Sequence, residues 1–399
     1  MRIVLVNPIA STPDLTIQNL FRPTASKLPS DLHALSQMNI VELASAFSSM
    51  GHETTVILGG RFPDGGEAVV GERLRVVGVE TSMAFPFHPG LIPMTPTLSE
   101  LPALREADII QAGEFHQPST LFASWAARDR GTPLVVWQET FRPMAFPGSL
   151  YQRAFEMVAG RAIRTATKRF VPRTTNASAY LRRLNVREDR IAPWIPTGLD
   201  LRTFAPGESR LSPDDFRWPS GSRILLVAAR LHSGKGVDRA FHVMKRLSRT
   251  NPNVRLLVAG SGPEQESLQR LLSELGLLGL VRMLGRRSRE EMVDLYRLAE
   301  VVLCTSRAEL LPFVLMEGGA CGRPSVTFDV GAVRDVVVDG QTGWVVRQGD
   351  MERFGAKVDS LLREDGTREA LGAEARRRME TYFDIQVIAT RLLQVYRAA

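Results

Sequence analysis

The sequence predicts an α/β protein built from two doubly wound, largely parallel sheets. Its 399 residues suit two domains of ordinary size. Short apolar runs, typical of buried strands, alternate with helix-length segments in both halves, as in sheets whose parallel strands are joined by helices. The stretch 205–222 is rich in Pro, Gly, Ser and Asp, which is typical of a linker. We therefore expect domains at 1–205 and 206–380, followed by a helix within 381–399.

Each half has its own series of predicted elements. In the first half, the clearest helix is 37–50, which ends at Gly51. The strands of that half are predicted at 3–6, 53–58, 74–79, 109–111 and 134–137. In the second half, strands are predicted at 224–229, 254–259, 281–284, 301–305 and 325–328. The helices of the second half are predicted at 237–250, 264–275, 289–299 and 385–396, with a short buried helix ending near residue 322.

Composition and cysteine content indicate a globular protein of a reducing compartment. The chain has only two cysteines and no metal-ligand spacing, which argues against a disulfide framework and favours the cytosol. Its first residues form a short apolar run without the longer core and cleavage site of a signal peptide. No apolar run approaches the length of a membrane-spanning helix. We therefore expect a cytoplasmic location.

Two glutamates in the second half carry the strongest chemical signal. Glu309 and Glu317 are separated by seven mostly apolar residues, and Gly322 and Pro324 then mark the end of a short helix. Pro312 suits the first turn of that helix, where its missing N–H costs nothing. Glu309 should therefore lie in the loop at the positive end of the helix, and Glu317 on the helix itself. Because carboxylates in apolar surroundings are costly unless they bind something, sugar and ribose hydroxyls are natural partners.

Other motifs lie in loops that follow predicted strands. They are the Arg-Leu…Lys-Gly run at 230–236, the Gly-x-Gly-Pro turn at 260–263, the strand and loop at 281–286, and the segments 331–337 and 339–343. Together with the Glu-x7-Glu run at 309–317, they follow the order found in the retaining nucleotide-sugar glycosyltransferases of the GT-B fold called GT4. The chain resembles this family over roughly residues 220–345.

The resemblance implies a fold, a reaction and a set of donor-binding residues. The fold would be GT-B, with two Rossmann-like domains facing each other across a cleft and the C-terminal helix crossing back to the first domain. The first domain would bind the acceptor and the second the nucleotide sugar, with Glu309 acting on the transferred sugar and Glu317 on the donor ribose. The donor-binding set would be Arg230, Lys235, Gly262, Arg286, Leu311, Pro312, Phe313, Val314 and Glu317.

The same set explains how a diphosphate could leave without a metal. The sequence has no Asp-x-Asp motif. Arg230 can bind phosphate oxygens bidentately and Lys235 adds a point charge. Residue 265 is Gln, so the Gly-x-Gly turn does not complete a dinucleotide fingerprint. We expect no metal and no cofactor, only a UDP- or GDP-sugar as donor substrate.

No side chain stands out as a covalent nucleophile, which fits the same-face transfer usually ascribed to the family. The family often has a histidine after an N-terminal strand, and Glu139 occupies that place here. His116 lies just upstream and is a second candidate. Either side chain could polarise an acceptor hydroxyl as a third catalytic group beside Glu309.

The positive charge of the chain is concentrated in one window. The formal net charge is +7, and residues 151–190 contain ten Lys and Arg residues against three acidic ones. Three apolar, Pro-containing segments at 9–35, 82–94 and 141–151 belong to the same half. This window is either a solvated face or a surface for anionic lipid or a diphosphate-linked acceptor. Nucleic acid is not expected, because no binding motif or aromatic interleaving accompanies the charge.

The sequence therefore predicts a retaining, metal-independent glycosyltransferase. It would move a sugar from a UDP- or GDP-sugar to a hydroxyl acceptor, which a lipid could carry, in polysaccharide or glycolipid synthesis at the inner face of the membrane. Two alternatives stay open. One is a sugar phosphorylase or sucrose-type synthase on the same scaffold. The other is a non-catalytic GT-B binding protein, because Leu310 replaces a glycine of the family and the glycine-rich loop before the first helix is missing.

Overall fold

The computed structural model of the chain describes residues 1–7, 32–59, 66–79, 83–85, 92–144, 146 and 148–399. It divides into two compact units. The first unit comprises Met1–Gly198 together with Ile385–Ala399, and the second comprises Leu199–Asp384. The apolar segments 9–35 and 82–94 lie largely outside the described residues.

The first unit is built on a seven-stranded sheet. Its described strands are β1 (Arg2–Asn7), β2 (Glu53–Gly59), β3 (Glu67–Gly71), β4 (Leu74–Val79), β5 (Met83–Phe85), β6 (Ile92–Met94), β7 (Ile109–Gly113), β8 (Leu134–Gln138) and β9 (Thr167–Pro172). The order in the large sheet is β3-β4-β2-β1-β7-β8-β9, while β5 and β6 pair with each other. Neighbours in the large sheet are parallel except β3 and β4. This is the doubly wound topology that the strand and helix alternation predicts.

Both faces of this sheet are covered. Ile3 and Leu5 of β1 belong to one buried apolar cluster, and Val4 and Val6 belong to another. Alternate residues of a strand point to opposite faces, so the two clusters lie on the two sides of the sheet. The helices up to residue 198 are α1 (Leu32–Ser36), α2 (Asn39–Ser49), α3 (Pro102–Glu106), α4 (Pro118–Arg130), α5 (Gly148–Phe155), α6 (Arg161–Ala166) and α7 (Thr175–Arg183).

One continuous helix of the first unit contains a π turn. It runs through α5, the π turn Glu156–Gly160 and α6. Arg164 pairs with Glu156 at 3.1 Å and also donates to the carbonyl oxygen of Leu184, so the turn is tied to the body of the unit. Such turns are rare inside α-helices and often lie at functional sites.

The second unit contains a six-stranded parallel sheet. Its strands are β10 (Arg223–Ala228), β11 (Val254–Ala259), β12 (Val281–Gly285), β13 (Val301–Cys304), β14 (Ser325–Phe328) and β15 (Gly343–Val346), in the order β12-β11-β10-β13-β14-β15. Its helices are α8 (Val237–Thr250), α9 (Gln265–Glu274), α10 (Arg289–Leu298), α11 (Phe313–Ala320), α12 (Val333–Val336), α13 (Met351–Arg363) and α14 (Asp365–Tyr382). The strand order reverses direction at β10, which places a topological switch point between β10 and β13.

The C-terminal helix α15 (Ile385–Arg397) packs on the first unit. Ile388 and Leu392 are fully buried in the cluster that also holds Ile3. The hydroxyl of Tyr396 donates to the side-chain oxygen of Gln111 at 2.6 Å, and both groups are buried. The helix is therefore held by apolar packing and by one specific buried hydrogen bond.

The unit boundaries differ by a few residues from the predicted domain boundaries at 205/206 and 380/381. The N–H of Leu199 donates to the carbonyl oxygen of Phe383 at 2.8 Å, so both ends of the second unit meet there. The segment 205–222 was predicted as a linker, but it is fastened to the second unit. Arg210 donates a hydrogen bond to the carboxylate of Asp294 on α10, and Asp294 is 5% exposed. The Pro and Gly content correctly indicates an irregular segment, but it does not show that this segment is anchored to the second unit.

Elements that the sequence analysis left out belong to both units. The elements that were not predicted are helices α1, α3, α4, α5, α6, α7, α12, α13 and α14 and strands β3, β5, β6, β9 and β15. Helix α11 begins at Phe313, with Pro312 as its N-cap residue rather than within the first turn. In the part of the chain that the structure describes, no helix has the length and apolar character needed to cross a membrane.

Replacing Tyr396 with Phe should lower the free energy of unfolding by about 1–3 kcal/mol, because it leaves the buried oxygen of Gln111 without a donor. Urea unfolding followed by circular dichroism would measure the change. Tyr382→Phe is the matched control, since Tyr382 is 43% exposed and should change stability by less than about 0.5 kcal/mol. Equal stability of the two variants would contradict this account of how α15 is anchored.

Candidate functional site

The loops at the carboxyl ends of the second unit's strands carry most of the predicted donor-binding residues. β10 pairs in parallel with both β11 and β13, so the loops that follow these strands lie at one edge of the sheet. After β10, Ser233–Lys235 forms a 3₁₀ turn, and Gly236 with φ +60° leads into α8. Ligands of open α/β sheets bind at this edge, near the switch point.

Glycines allow these loops to touch backbone against backbone. A Cβ atom on Gly262 would overlap the backbone of Leu231, whose N–H donates to the carbonyl oxygen of Ser261 at 2.9 Å. A Cβ atom on Gly331, which has φ +58°, would overlap the carbonyl oxygen of Glu309. The predicted donor-binding glycine at 262 therefore fixes the position of the 230–236 loop.

Arg307 fastens the 3₁₀ turn to the loop that follows β13. Its guanidinium donates to the carbonyl oxygen of Ser233 at 2.7 Å and binds the carboxylate of Asp238 through two hydrogen bonds of 3.0 and 2.7 Å. Its backbone N–H donates to the carbonyl oxygen of Gly234 at 2.8 Å. The two loops that carry Lys235 and Glu309 are thereby held together.

His232 supports the same turn. Its Nδ1 accepts from the N–H of Gly234 at 3.1 Å. Partial burial, followed by the charges of Lys235 and Arg230, lowers the pKa of His232. A neutral imidazole has a nitrogen that can accept this hydrogen bond. The lowered pKa therefore favours the form of His232 that caps the 3₁₀ turn.

Glu309 lies at the centre of this edge and is 8% exposed. Its carboxylate accepts from the hydroxyl of Ser306 at 2.6 Å and from the ammonium group of Lys235 at 2.7 Å. Residues 74 positions apart in the sequence thus form a nearly buried ion pair. The structure brings together the two groups that the resemblance assigns to the transferred sugar and to the diphosphate.

The helix that carries Glu317 begins beside Glu309. Leu311 and Pro312 are buried. Phe313 and Val314 are the first two residues of α11, and both are half-buried. The N–H groups of such a first turn have no partner within the helix, and the helix dipole is positive there. The start of α11 can therefore bind an anion or a hydroxyl group.

Glu317 is held by a buried tyrosine from the neighbouring helix. The hydroxyl of Tyr296 donates to the Glu317 carboxylate at 2.6 Å. Burial, followed by the charge of Glu317, raises the pKa of Tyr296 well above its usual value. Tyr296 therefore stays protonated and fixes the orientation of Glu317.

Two predicted donor-binding arginines lie on exposed parts of the same loops. Arg230 follows β10 and is exposed, and it interacts with a neighbouring group. Arg286 is exposed and follows Gly285, the last residue of β12. Both cations are accessible to an anionic ligand.

The first unit has its own polar cluster at the ends of β7 and β8. Glu139 follows β8, and its carboxylate forms a 2.7 Å ion pair with Arg173, which follows β9. Each of these two side chains is 20% exposed. The guanidinium of Arg173 also lies over the ring of Trp137, 4.3 Å from its centroid. Glu139 is therefore an oriented, partly accessible carboxylate.

Glu114 is the centre of this cluster and was not among the residues predicted from the sequence. It has a positive φ of +66°, which is uncommon for a residue with a side chain. Its carboxylate accepts from Gln138 Nε2 at 2.8 Å and from the N–H groups of Glu139 at 2.8 Å and Thr140 at 3.3 Å. Burial and the nearby Glu139 raise the pKa of Glu114. Strain and a perturbed carboxyl group together are typical of functional sites.

His116 lies deeper in the unit. It is 5% exposed, and its ring contacts those of Phe115, Phe155 and Tyr180 at centroid distances of 5.0–6.3 Å. Burial, followed by the charge of Arg164, lowers its pKa to about 4. These surroundings fit a neutral packing residue better than an exposed base.

Four residues of the two polar clusters were not predicted from the sequence. Tyr296, Arg173 and Glu114 act through partners that only the fold brings near them. Ser306 stands three residues before Glu309 and could have been found as a local polar neighbour. In the described part of the chain, no three His, Cys, Asp or Glu residues are grouped so that they could hold a metal ion.

Comparisons with known proteins assign each half of the chain to a family. Residues 209–378 match the family model described as glycosyl transferases group 1. Residues 37–196 match the model of a glycosyl transferase 4-like domain. The two matches fall in the two units separately.

Two curated relatives each match about half of this chain. Glycogen synthase of Mycobacterium tuberculosis is 32% identical over 208 residues, which are 49% of this chain and 50% of the relative. D-inositol 3-phosphate glycosyltransferase of Frankia alni is 34% identical over 222 residues, or 53% of each chain. The chain thus matches about half the length of these relatives.

A solved structure extends the likeness to the full chain. HepE of Anabaena, crystallised in complex with UDP, matches with a TM-score of 0.73 over 100% of both chains at 15% identity. This likeness concerns the fold, and it agrees with two parallel-sheet α/β units. Because the two family models match residues 37–196 and 209–378, the chain belongs to the GT4-type glycosyltransferases, and the structural likeness shows the GT-B fold.

Proposed function

We propose that this protein is a glycosyltransferase that moves a sugar from a UDP- or GDP-sugar to a hydroxyl acceptor. The observation that carries the proposal is the nearly buried contact between Lys235 and Glu309 beside the start of α11. A cation for the diphosphate, a carboxylate for the sugar and a helix N-terminus are thereby placed together. The UDP bound by HepE supports a uridine nucleotide as the first to test.

Donor binding would exchange the Lys235–Glu309 ion pair for two separate contacts. The ammonium group would turn to a diphosphate oxygen, and the carboxylate would accept from a sugar hydroxyl while Ser306 keeps its hydrogen bond. Breaking an ion pair in low-dielectric surroundings is costly unless both charges find new partners. A nucleotide sugar supplies both partners at once, whereas a nucleotide or a free sugar supplies only one.

Bond breaking would be assisted by charge on the leaving group. As the bond between the anomeric carbon and the diphosphate oxygen breaks, negative charge grows on the diphosphate. Arg230, Lys235 and the first N–H groups of α11 would stabilise that charge, as preorganised donors do. This supports departure without a metal and attack by the acceptor on the same face, which retains the anomeric configuration.

The acceptor side would belong to the first unit. Glu139 is partly accessible, and its orientation is fixed by Arg173 and by the Glu114 carboxylate that binds its N–H. We therefore favour Glu139 over the buried His116 as the group that polarises the acceptor hydroxyl. The acceptor would be lipid-linked, and the protein would meet it at the inner face of the membrane through residues 151–190.

Nucleotide diphosphates and their sugars should raise the melting temperature in the presence of EDTA. A ligand at a hundred times its dissociation constant adds about 2.7 kcal/mol to stability. Arg230→Ala should weaken binding about tenfold or more, because it removes a charge-assisted contact. Arg270→Ala, an exposed arginine on α9, is the matched control and should bind like the wild type.

Each contrary result of this titration has a defined meaning. No shift with any nucleotide or nucleotide sugar would contradict the proposal and favour the non-catalytic binding protein. Sugar transfer that depends on inorganic phosphate would instead indicate a phosphorylase. A shift that EDTA abolishes would contradict metal independence.

Glu309→Gln should lower the rate of nucleotide diphosphate release from the donor by at least about tenfold, which corresponds to about 1.4 kcal/mol of lost transition-state stabilisation. The change keeps the size of the side chain and removes its charge. Initial rates at saturating donor would measure it. Transfer at the wild-type rate would show that the assignment of Glu309 is wrong.

Tyr296→Phe should raise the KM for the donor about fivefold with kcat nearly unchanged, because one hydrogen bond that orients Glu317 is lost. The steady-state constants of the variant and of Tyr382→Phe would be compared. A fall in kcat at constant KM would contradict a role confined to donor positioning.

The two acceptor-side candidates can be separated by paired variants. Glu139→Gln should lower kcat without changing the melting shift given by the donor, since donor binding belongs to the second unit. His116→Asn should lower the melting temperature, because His116 packs among aromatic rings, and it should leave kcat of the folded protein close to that of the wild type. The opposite pattern would assign the acid–base role to His116.

A further inference from the structure

The outward face of the helix 148–166 carries large apolar side chains together with arginines. Positions three or four apart along a helix lie on one side, and the exposed positions of this helix follow that spacing. They include Leu150, Arg153, Ala154, Met157, Val158 and Arg161. Met157 is 80% exposed and Val158 is 85% exposed. A surface helix normally presents polar residues on its outer side, so this apolar row is unusual.

The orientation of the helix is fixed from the other side. Gln152, Ala159 and Ile163 are buried, and Ala159 and Ile163 belong to an apolar cluster of the first unit. A Cβ atom on Gly160 would lie only 3.0 Å from the side chain of Glu156, so the π turn is closely packed. The helix cannot rotate to hide its outer row without losing these buried contacts.

A further exposed apolar side chain, that of Phe146, precedes the helix. Phe146 is 79% exposed and Leu150 is 55% exposed. Leu150, Met157 and Val158 form a row of large apolar side chains on the helix, and Phe146 stands two residues before the helix begins. Exposed apolar groups that are contiguous, rather than scattered, mark a surface that another body covers.

Arginines line a cavity at the C-terminal end of the same helix. Its volume is about 270 Å³, and its walls include Arg161, Arg164, Arg187 and Arg190. Arg164 pairs with Glu156 and Arg187 pairs with Asp189. Arg190 donates to the carbonyl oxygens of Arg164 and Thr167, which leaves its charge uncompensated.

Arg161 is the most available cation of this cavity. Among the described residues, its side chain has no ion-pair or hydrogen-bond partner, and it also lies on the exposed row of the helix. The third acid of the window 151–190, Glu188, is paired with Arg182. All three acids are thus taken up by neighbouring arginines, and the remaining positive charge is free to attract an anion.

We propose that the helix 148–166 lies on an anionic phospholipid bilayer. Phe146, Leu150, Met157 and Val158 enter the boundary between headgroups and acyl chains, while Arg153 and the arginine cavity hold lipid phosphates. A bilayer presents phosphate and hydrocarbon within one plane, and interfacial helices with an apolar face and flanking arginines bind there. This charge complementarity favours a lipid surface over an uncharged protein partner.

This inference concerns binding and does not rest on sugar transfer. It gives the lipid-linked acceptor of the proposed function a defined surface at which to meet the protein. Vesicle binding needs no donor, acceptor or turnover, so its failure and the failure of transfer would be separate results.

The test is flotation of the full chain with vesicles of phosphatidylcholine alone or mixed with phosphatidylglycerol. The protein should float with the anionic vesicles only, and salt should weaken binding. Met157→Ser combined with Val158→Ser should weaken it at least about tenfold, since two apolar side chains lose their burial. Arg153→Ala and Arg161→Ala should each weaken it about fivefold.

Matched controls are Val69→Ser and Arg130→Ala, which change exposed residues of the first unit outside this surface. They should float like the wild type, and all variants should melt at the wild-type temperature. Glycerol 3-phosphate, which offers the phosphate without acyl chains, should compete only weakly.

Three results would overturn the proposal. Tight glycerol 3-phosphate binding without flotation would indicate a site for a small anion. Self-association that Met157→Ser with Val158→Ser abolishes, without flotation, would indicate an interface between copies. Equal flotation of these variants and the controls would show that another surface binds the lipid.

Discussion

The second unit is constrained by a carboxylate and an ammonium group that lie in contact with little exposure to solvent. Glu309 and Lys235 meet at 2.7 Å with side-chain exposures of 6% and 26%. Such a pair is costly to assemble, and removing one partner leaves an unpaired charge. Ser306 donates a hydrogen bond to the Glu309 carboxylate, and Arg307 ties together the two loops that carry the pair. At Gly331 only a hydrogen atom fits against the carbonyl oxygen of Glu309. These contacts hold the charges where parallel strands end.

The same organisation appears in the first unit with different residues. Glu114 has a positive φ, and its carboxylate accepts three hydrogen bonds, two of them from the backbone N–H groups of Glu139 and Thr140. These bonds fix the backbone at Glu139. Arg173 then compensates the charge of Glu139 without burying it fully. Each unit thus places one carboxylate beside one cation at the carboxyl ends of neighbouring parallel strands. Two polar centres of this kind suit a reaction that must handle a charged leaving group and a neutral hydroxyl.

Local patterns in the sequence predicted the fold and the family, while contacts made across the chain were beyond them. Most strands of both sheets, and the loops at 230–236 and 309–317, carry their signals within a few neighbouring residues. Tyr296 and Arg173 could not be selected, because their roles depend on residues 21 and 34 positions away, brought near by packing. The basic window was visible, but composition alone does not say which side of a helix faces outward. The structure shows that Met157 and Val158 do.

A crystal structure of the protein with an intact nucleotide sugar, beginning with UDP-glucose, would test this site most directly. We predict that the Nζ atom of Lys235 leaves Glu309 and lies within hydrogen-bond distance of a diphosphate oxygen. The Glu309 carboxylate should then accept from a sugar hydroxyl, and Glu317 should lie beside the ribose. A nucleotide sugar bound elsewhere, or bound here with the Lys235–Glu309 contact unchanged at 2.7 Å, would contradict this prediction.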